Sequence, residues 1–157
     1  MMIESAIRMP AEALAGTNVR VRRGRRDDLP RVLALLGRDS TPGTTRLYRR
    51  VVADLGTDLY VAEDAGGEVV GLVAIVYSRS LFQGGLSARL DGARAATSPA
   101  APVLDGLIAF AERRARRRGC RRLEAALDGG DPELHTALRA RGYRGAEALV
   151  TDLGARG

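Results

Sequence analysis

Hydrophobic and polar positions follow two rhythms along this chain. In 18–24, Val19 and Val21 fall on one side and Arg20 and Arg22 on the other, the period-two pattern of a strand. Asp27 and Asp28 then open a helix with Pro30 in its first turn, where a missing N–H is tolerated. Leu29, Val32, Leu33 and Leu36 recur at i, i+3, i+4 and i+7, one helical face. Thr41-Pro42-Gly43 is a break, and a second helix follows with Leu47, Val51, Val52 and Leu55 on its apolar side. A short strand is predicted over 58–63, a hairpin turn at Asp64-Ala65-Gly66-Gly67, and a strand over 68–77. The run from Val69 to Tyr77 is interrupted only by Gly71, as expected of a strand covered on both faces. A loop over 78–85 leads to an alanine-rich fourth strand over 86–97. Pro99 and Pro102 punctuate the chain before Val103, Leu104, Leu107, Ile108, Ala111 and Ala115 mark a long amphipathic helix ending at Gly119. A strand over 120–127, a short helix over 131–141 and one or two closing strands over 143–153 complete the pattern.

Composition narrows the class. A chain of 157 residues suits one domain, expected over 18–157 behind an N-terminal tail at 1–17. Hydrophobic residues at 45% exclude a disordered chain. No apolar stretch approaches the ~18 residues of a membrane span. The first 17 residues lack the basic start and apolar run of a secretory signal, so a cytoplasmic protein is expected, without a membrane partner. Cys120 and His135 are the only cysteine and histidine, which removes internal disulfides and Cys/His clusters and leaves no metal site to expect. The net charge of +6 is carried by arginine alone, with no lysine. Such a balance attracts anions such as phosphates, CoA or RNA, or simply solvates the surface.

The order β-α-α-β-β-β-α-β-α-β resembles the GNAT superfamily of acetyl-CoA-dependent N-acetyltransferases from Val19 to Leu153. Local text carries the resemblance further. Leu59-Tyr60-Val61-Ala62-Glu63 through Val70-Gly71-Leu72-Val73 is similar to a hairpin that recurs in that family, as are 115–123 to the end of its long helix and 128–144 to its last helix and turn. The resemblance implies an α/β (α+β) fold: a mixed central sheet of six to seven strands flanked by about four helices. It also implies acetyl transfer to a small-molecule or protein amine, with acetyl-CoA as cofactor. The pantetheine arm would pair with the fourth strand as an added strand would. The pyrophosphate would rest on backbone N–H groups at the start of the long helix. Carried onto this chain, the cofactor positions are Arg94, Ala96, Val103, Leu104 and Gly106, and the catalytic candidates are Asp91 as general base and Tyr77 as proton donor or pocket wall.

Several positions depart from the family pattern. Its phosphate loop falls on Pro99-Ala100-Ala101-Pro102-Val103-Leu104, where the characteristic glycines are missing and Pro102 has no N–H to give. Asp105 adds a carboxylate that suits a helix start and would repel a pyrophosphate. The leaving-group tyrosine falls on Leu138, and the family's asparagine on Asp131, which also reads as an N-cap before Pro132. Weak or lost cofactor binding is therefore expected, beside two alternatives: an active N-acetyltransferase with an atypical phosphate loop, or a non-catalytic module binding a protein partner or RNA. Ordinary readings stand beside each candidate. Asp91 pairs with Arg89 or Arg94, Tyr77 belongs to the core, His135 is structural or exposed, and Cys120 is buried and inert. The arginines at 113–118 form a solvated helix end. Aromatic residues at 4% give no stacking platform, so nucleic acid is not expected, whereas a homodimer stays open.

Overall fold

The computed structural model describes residues 11–96, 100–127 and 131–154. Pro99 and Thr97 and the stretches 1–10 and 128–130 of the sequence reading lie outside these residues. Six strands form one sheet in the order β1-β2-β3-β4-β5-β6: β1 Glu12–Ala13, β2 Arg20–Arg23, β3 Thr57–Glu63, β4 Val69–Ser80, β5 Gly85–Ala95 and β6 Leu123–Ala125. Neighbours are antiparallel except β5 and β6, which run parallel. Four α-helices cover the sheet: α1 Leu29–Leu36, α2 Pro42–Ala53, α3 Ala100–Arg117 and α4 Pro132–Ala140. This is the mixed sheet with four helices that the sequence implied. No helix among the described residues is long and apolar enough to cross a membrane.

Alternation along β3 and β4 sorts side chains into two cores. Tyr60, Ala62, Val73, Ile75 and Tyr77 face α3 and α4, where they meet Leu107, Ile108 and Ala111. Leu59, Val61, Val69 and Leu72 face α1 and α2, against Val32 and Tyr48. Val73 and Ile75 are fully buried, as a strand covered on both faces requires. Gly71 sets the distance between β4 and α3: a Cβ there would stand 3.0 Å from Leu107 Cδ1, 3.2 Å from Val103 Cγ1 and 3.3 Å from the Arg94 carbonyl. Gly119, at φ 86°, ends α3, and the Cys120 N–H returns to the Ala115 carbonyl at 3.0 Å.

Five expectations need correction. Thr41-Pro42-Gly43 is a helix start as well as a break, since the Thr41 hydroxyl accepts from the Thr44 N–H at 3.1 Å and Pro42 occupies the first helical position. The buried face of α2 is Tyr48, Val51 and Val52. Leu47 lies 61% exposed beside it, and Leu55 follows Asp54 out of the helix into solvent. β6 occupies only Leu123–Ala125 of the stretch expected at 120–127. No strand forms over 143–154, where Leu149, Val150 and Leu153 are almost wholly exposed. Residues placed by sequence in the tail contribute instead to the sheet: β1 pairs with β2, and Leu14 is buried in the α3 core.

The contact between Gly71 and Leu107 makes a coupled pair. Leu107→Ala should cost about 2–5 kcal/mol and Gly71→Ala about 1–3 kcal/mol in urea unfolding. The double variant should lose less than the sum, because Leu107→Ala removes the atom that the new methyl meets. Strict additivity would show that α3 does not rest on β4 here.

Candidate functional site

Two parallel strands part company at one end of the sheet. β5 and β6 pair only through Ala88, Arg89 and Leu90 against Leu123, Glu124 and Ala125. Beyond Leu90, the described residues of β5 pair with β4 alone, which leaves one backbone edge open over Asp91–Ala95. The ladder to β4 slips at the same place: Ile75 pairs with Leu90 and Ala74 with Gly92, so Asp91 is the extra residue of a bulge. Leu90 and Ala93, three apart, both enter the α3 core, and Asp91 stays exposed. An open edge beside a bulge that presents a carboxylate can take an extended ligand along its backbone and a basic group at its side.

The sequence candidates separate around this notch. No ion pair among the described residues uses Asp91. Arg94 turns instead to the Leu35 carbonyl of α1 at 3.3 Å and to Asp131 at 3.6 Å. The bridge between Asp91 and Arg94 offered as the ordinary alternative is therefore absent among the described residues. Tyr77 is not brought to Asp91. It lies buried in the α3 core, with the Arg118 guanidinium 4.1 Å from its ring centre. Burial, reinforced by the nearby Asp58 carboxylate, pushes its hydroxyl well above the ordinary phenol range. Asp58 is itself almost sealed, 1% exposed, and pairs with Arg23 at 3.1 Å, Arg114 at 3.5 Å and Arg118 at 3.7 Å. The arginines expected as a solvated helix end are thus partly structural, and Arg113 adds a contact of 2.6 Å to Glu12. Cys120 is buried, which raises its thiol, and His135 is exposed on α4.

Of the cofactor positions, Ala96 donates its N–H to the Val70 carbonyl at 2.8 Å and extends the β4 ladder. Val103 and Leu104 point their side chains into the core and can offer only backbone. Gly106 makes room for Leu14, whose Cδ1 would stand 3.2 Å from a Cβ. Pro102 lies in the first turn of α3, and a cleft of about 650 Å³ beside it is bordered by Val103, Ala96 and Asp64 and, among the described residues, by no arginine. The open β5 edge leaves backbone for an extended ligand, and Pro102 leaves the described start of α3 one N–H short.

Asp105 has an employment that sequence did not show. It accepts from Arg141 at 2.9 Å, while the same guanidinium meets Glu112 through Nε and Nη2, each at 2.9 Å. The Tyr143 hydroxyl closes the group at 3.2 Å from Glu112. Asp105 and Glu112 are seven apart on one face of α3, and that spacing was the available signal. The missing half was that Arg141, just past α4, docks there. With its charge partnered, Asp105 opposes an anion less than its position alone implied. Leu138, where the family's tyrosine falls, is buried core.

Glu112 supplies a test of this lock. The Arg141 hydrogen bonds hold its carboxyl below the ordinary value against the opposing effect of burial. A carboxyl with a lowered folded pKa contributes fully above its unfolded value of about 4.3 and less as pH falls through the folded value. Glu112→Gln should therefore cost on the order of 1–3 kcal/mol at neutral pH. The gap from the parent should narrow as unfolding is followed below about pH 4. A gap independent of pH would mean that Arg141 does not hold an ionised Glu112.

The sequence matches no family model and no curated protein. Solved structures do match the fold. A transcriptional regulator from Bacillus halodurans C-125 superposes with a TM-score of 0.75 at 21% identity, over 85% of this chain and 98% of that one. An aminoglycoside antibiotic 6′-N-acetyltransferase from Acinetobacter baumannii gives 0.70 at 15% identity, over 88% and 99%. A ribosomal-protein-alanine N-acetyltransferase from Brucella melitensis biovar Abortus 2308 gives 0.70 at 16%, over 87% and 99%. The chain has the GNAT acetyltransferase fold.

Proposed function

We propose that this chain is an N-acetyltransferase of the GNAT type, transferring acetyl from acetyl-CoA to an amine, with its hold on the cofactor weakened at the pyrophosphate end. The observation that carries the reading is the notch: β5 leaves β6 at Leu90, keeps an open edge over Asp91–Ala95 and bulges at Asp91. When bound, acetyl-CoA supplies an activated thioester carbonyl. The open β5 edge would align the pantetheine arm by backbone hydrogen bonds. Asp91, exposed and free of an ion pair among the described residues, is the group placed to orient an amine and take its proton. Tyr77 is held in the Asp58 and Arg118 cluster on the α3 side, so the reading gives it no proton to deliver. Weak binding follows from Pro102, which withholds an N–H where anions meet helix starts.

Two measurements test this. A ligand at about 100 times its Kd stabilises a fold by roughly 2.7 kcal/mol. For a domain of this size that raises Tm by roughly 5–11 °C. Millimolar acetyl-CoA should raise the Tm of the parent far less, and Pro102→Ala, which returns the N–H, should enlarge the shift measured against its own ligand-free melt. Asp105→Asn should change it little, because Arg141 already partners that charge. A full-size shift in the parent would falsify the weakened grip and favour an active enzyme with an atypical loop.

The second measurement is turnover on amine acceptors at saturating acetyl-CoA. Asp91→Asn should lower kcat by about 10²–10⁴-fold with little change in acetyl-CoA affinity, as loss of a general base does. Unchanged turnover would remove Asp91 from the chemistry.

A further inference from the structure

One hairpin outruns the sheet. β4 and β5 stay paired down to Ser80 and Gly85, but their neighbours stop short. β3 begins at Thr57 opposite Val76, and the Gly56 carbonyl reaches only the Tyr77 N–H at 2.8 Å. β6 begins at Leu123 beside Ala88. Residues 78–87 therefore project as a two-stranded finger, about 10 Å past the rest of the sheet at the rise of a strand. The finger is closed by its own bonds. The Ser80 hydroxyl accepts from the Gln83 N–H at 3.1 Å, and the Ser78 and Ser87 hydroxyls meet at 3.2 Å. At the apex Leu81 is 93% exposed and Phe82 is wholly exposed. Neither belongs to a core, so two large apolar side chains stand in water at the tip of a projection.

The ground behind the apex is basic. No acidic residue occurs between Glu68 and Asp91 or between Glu112 and Glu124, whereas those stretches carry Arg79, Arg89 and the arginines at 113–122. The Arg118 guanidinium over the Tyr77 ring sets the end of α3 beside the base of the finger. Arg79, Arg89, Arg117 and Arg121 are exposed and enter no ion pair among the described residues. Arg89 and Arg121 also border an open cleft of about 790 Å³ between β6 and α4. Opposing charges are few at this end. Asp54 stands in the turn before Gly56, and Glu124 is already paired with Arg122 at 3.1 Å.

We propose that this finger docks on an anionic lipid surface, with Leu81 and Phe82 entering the acyl boundary and the arginines held at headgroup level. The layering of the finger matches that of a bilayer face, where apolar groups sink by about 5–10 Å and basic side chains stay among anionic headgroups. A nucleic acid would meet the arginines but offers Leu81 no apolar surface, so charge alone does not account for the apex. Docking needs neither a spanning helix nor a signal peptide, the two features on which the expectation of no membrane partner rests. β5 runs from the finger to the open edge over Asp91–Ala95, so the notch lies at the end away from the lipid. The proposal concerns docking alone and does not depend on acetyl transfer.

The full chain should cosediment with vesicles of equimolar phosphatidylcholine and phosphatidylglycerol, and bind phosphatidylcholine alone at least about tenfold more weakly. Leu81→Ser combined with Phe82→Ser should weaken binding to the anionic vesicles by at least about tenfold. That variant should keep the melting temperature of the parent, because neither side chain belongs to a core. Arg79→Gln and Arg121→Gln should each weaken binding by about fivefold. The chain has no tryptophan, so Phe82→Trp places a single reporter at the apex, and its emission should shift to the blue on the anionic vesicles. The reporter serves equally if the serine variant folds poorly. An unshifted reporter, or binding indifferent to Leu81 and Phe82, would reduce the interaction to adsorption by charge and overturn the finger as the docking element. A parent chain that stays in the supernatant beside anionic vesicles, whether or not it binds RNA, would overturn the proposal as well.

Discussion

One buried carboxylate ties the sheet to its longest helix. Asp58 sits on β3, almost fully out of water, with arginines from β2 and from two positions near the end of α3 around it. A lone charge at such depth is untenable; surrounded by guanidinium groups it becomes a clamp whose geometry is fixed by how many partners must converge. Arg118 can reach Asp58 only if α3 ends where Gly119 ends it, and from there its guanidinium also lies over the Tyr77 ring. Arg23 and Arg114 stand 5.5 and 5.6 Å from the Tyr60 ring centre on the same side of the sheet. The end of α3, the start of β3 and the far part of β4 thus meet at one electrostatic centre.

A second charged group does comparable work on the other face. Arg22 reaches Asp28 through both terminal nitrogens at 2.7 Å and Glu63 through Nε at 2.6 Å, joining β2, the turn before α1 and β3. Burial alone would raise the Asp28 carboxyl; the Arg22 guanidinium and the Arg25 N–H reverse that and hold it below the ordinary carboxylate value. With Arg141 bridging α3 and the end of α4, three arginine-centred groups join elements distant in sequence. The arginine-rich composition therefore serves architecture at these positions. Surplus charge is left where β6 and the cleft beside it remain open.

The notch between β5 and β6 is where architecture and chemistry meet. Beyond the three residues over which β5 and β6 pair, one side of β5 keeps backbone donors and acceptors without a partner strand among the described residues. The bulge at Asp91 keeps Leu90 and Ala93 both in the α3 core while leaving the carboxylate at the surface. At the start of α3, Pro102 suits the first helical turn and has no N–H.

The sequence by itself determined the order and type of the elements from β2 to α4, because periodicity is a local property. The alternation at Val19 and Val21, the apolar run from Val69 to Tyr77 interrupted only by Gly71, and the stripe of Leu104, Leu107, Ile108 and Ala111 each report what is buried without reference to a partner. It also offered Asp91 and the departures at 99–104 as candidates, from residue types at given positions. Tertiary structure alone decided what each charge does. Nothing local says that Asp58 is sealed under three arginines, that Asp105 belongs to Arg141, that Arg94 turns to α1 and Asp131, or that Tyr77 and Asp91 are kept apart. It also decided that 143–154 lies unpaired, because a strand needs a neighbour and only the folded sheet shows which edge is vacant. Ion pairs and strand partners join residues far apart in the chain, so their energies depend on docking geometry that no window of sequence contains.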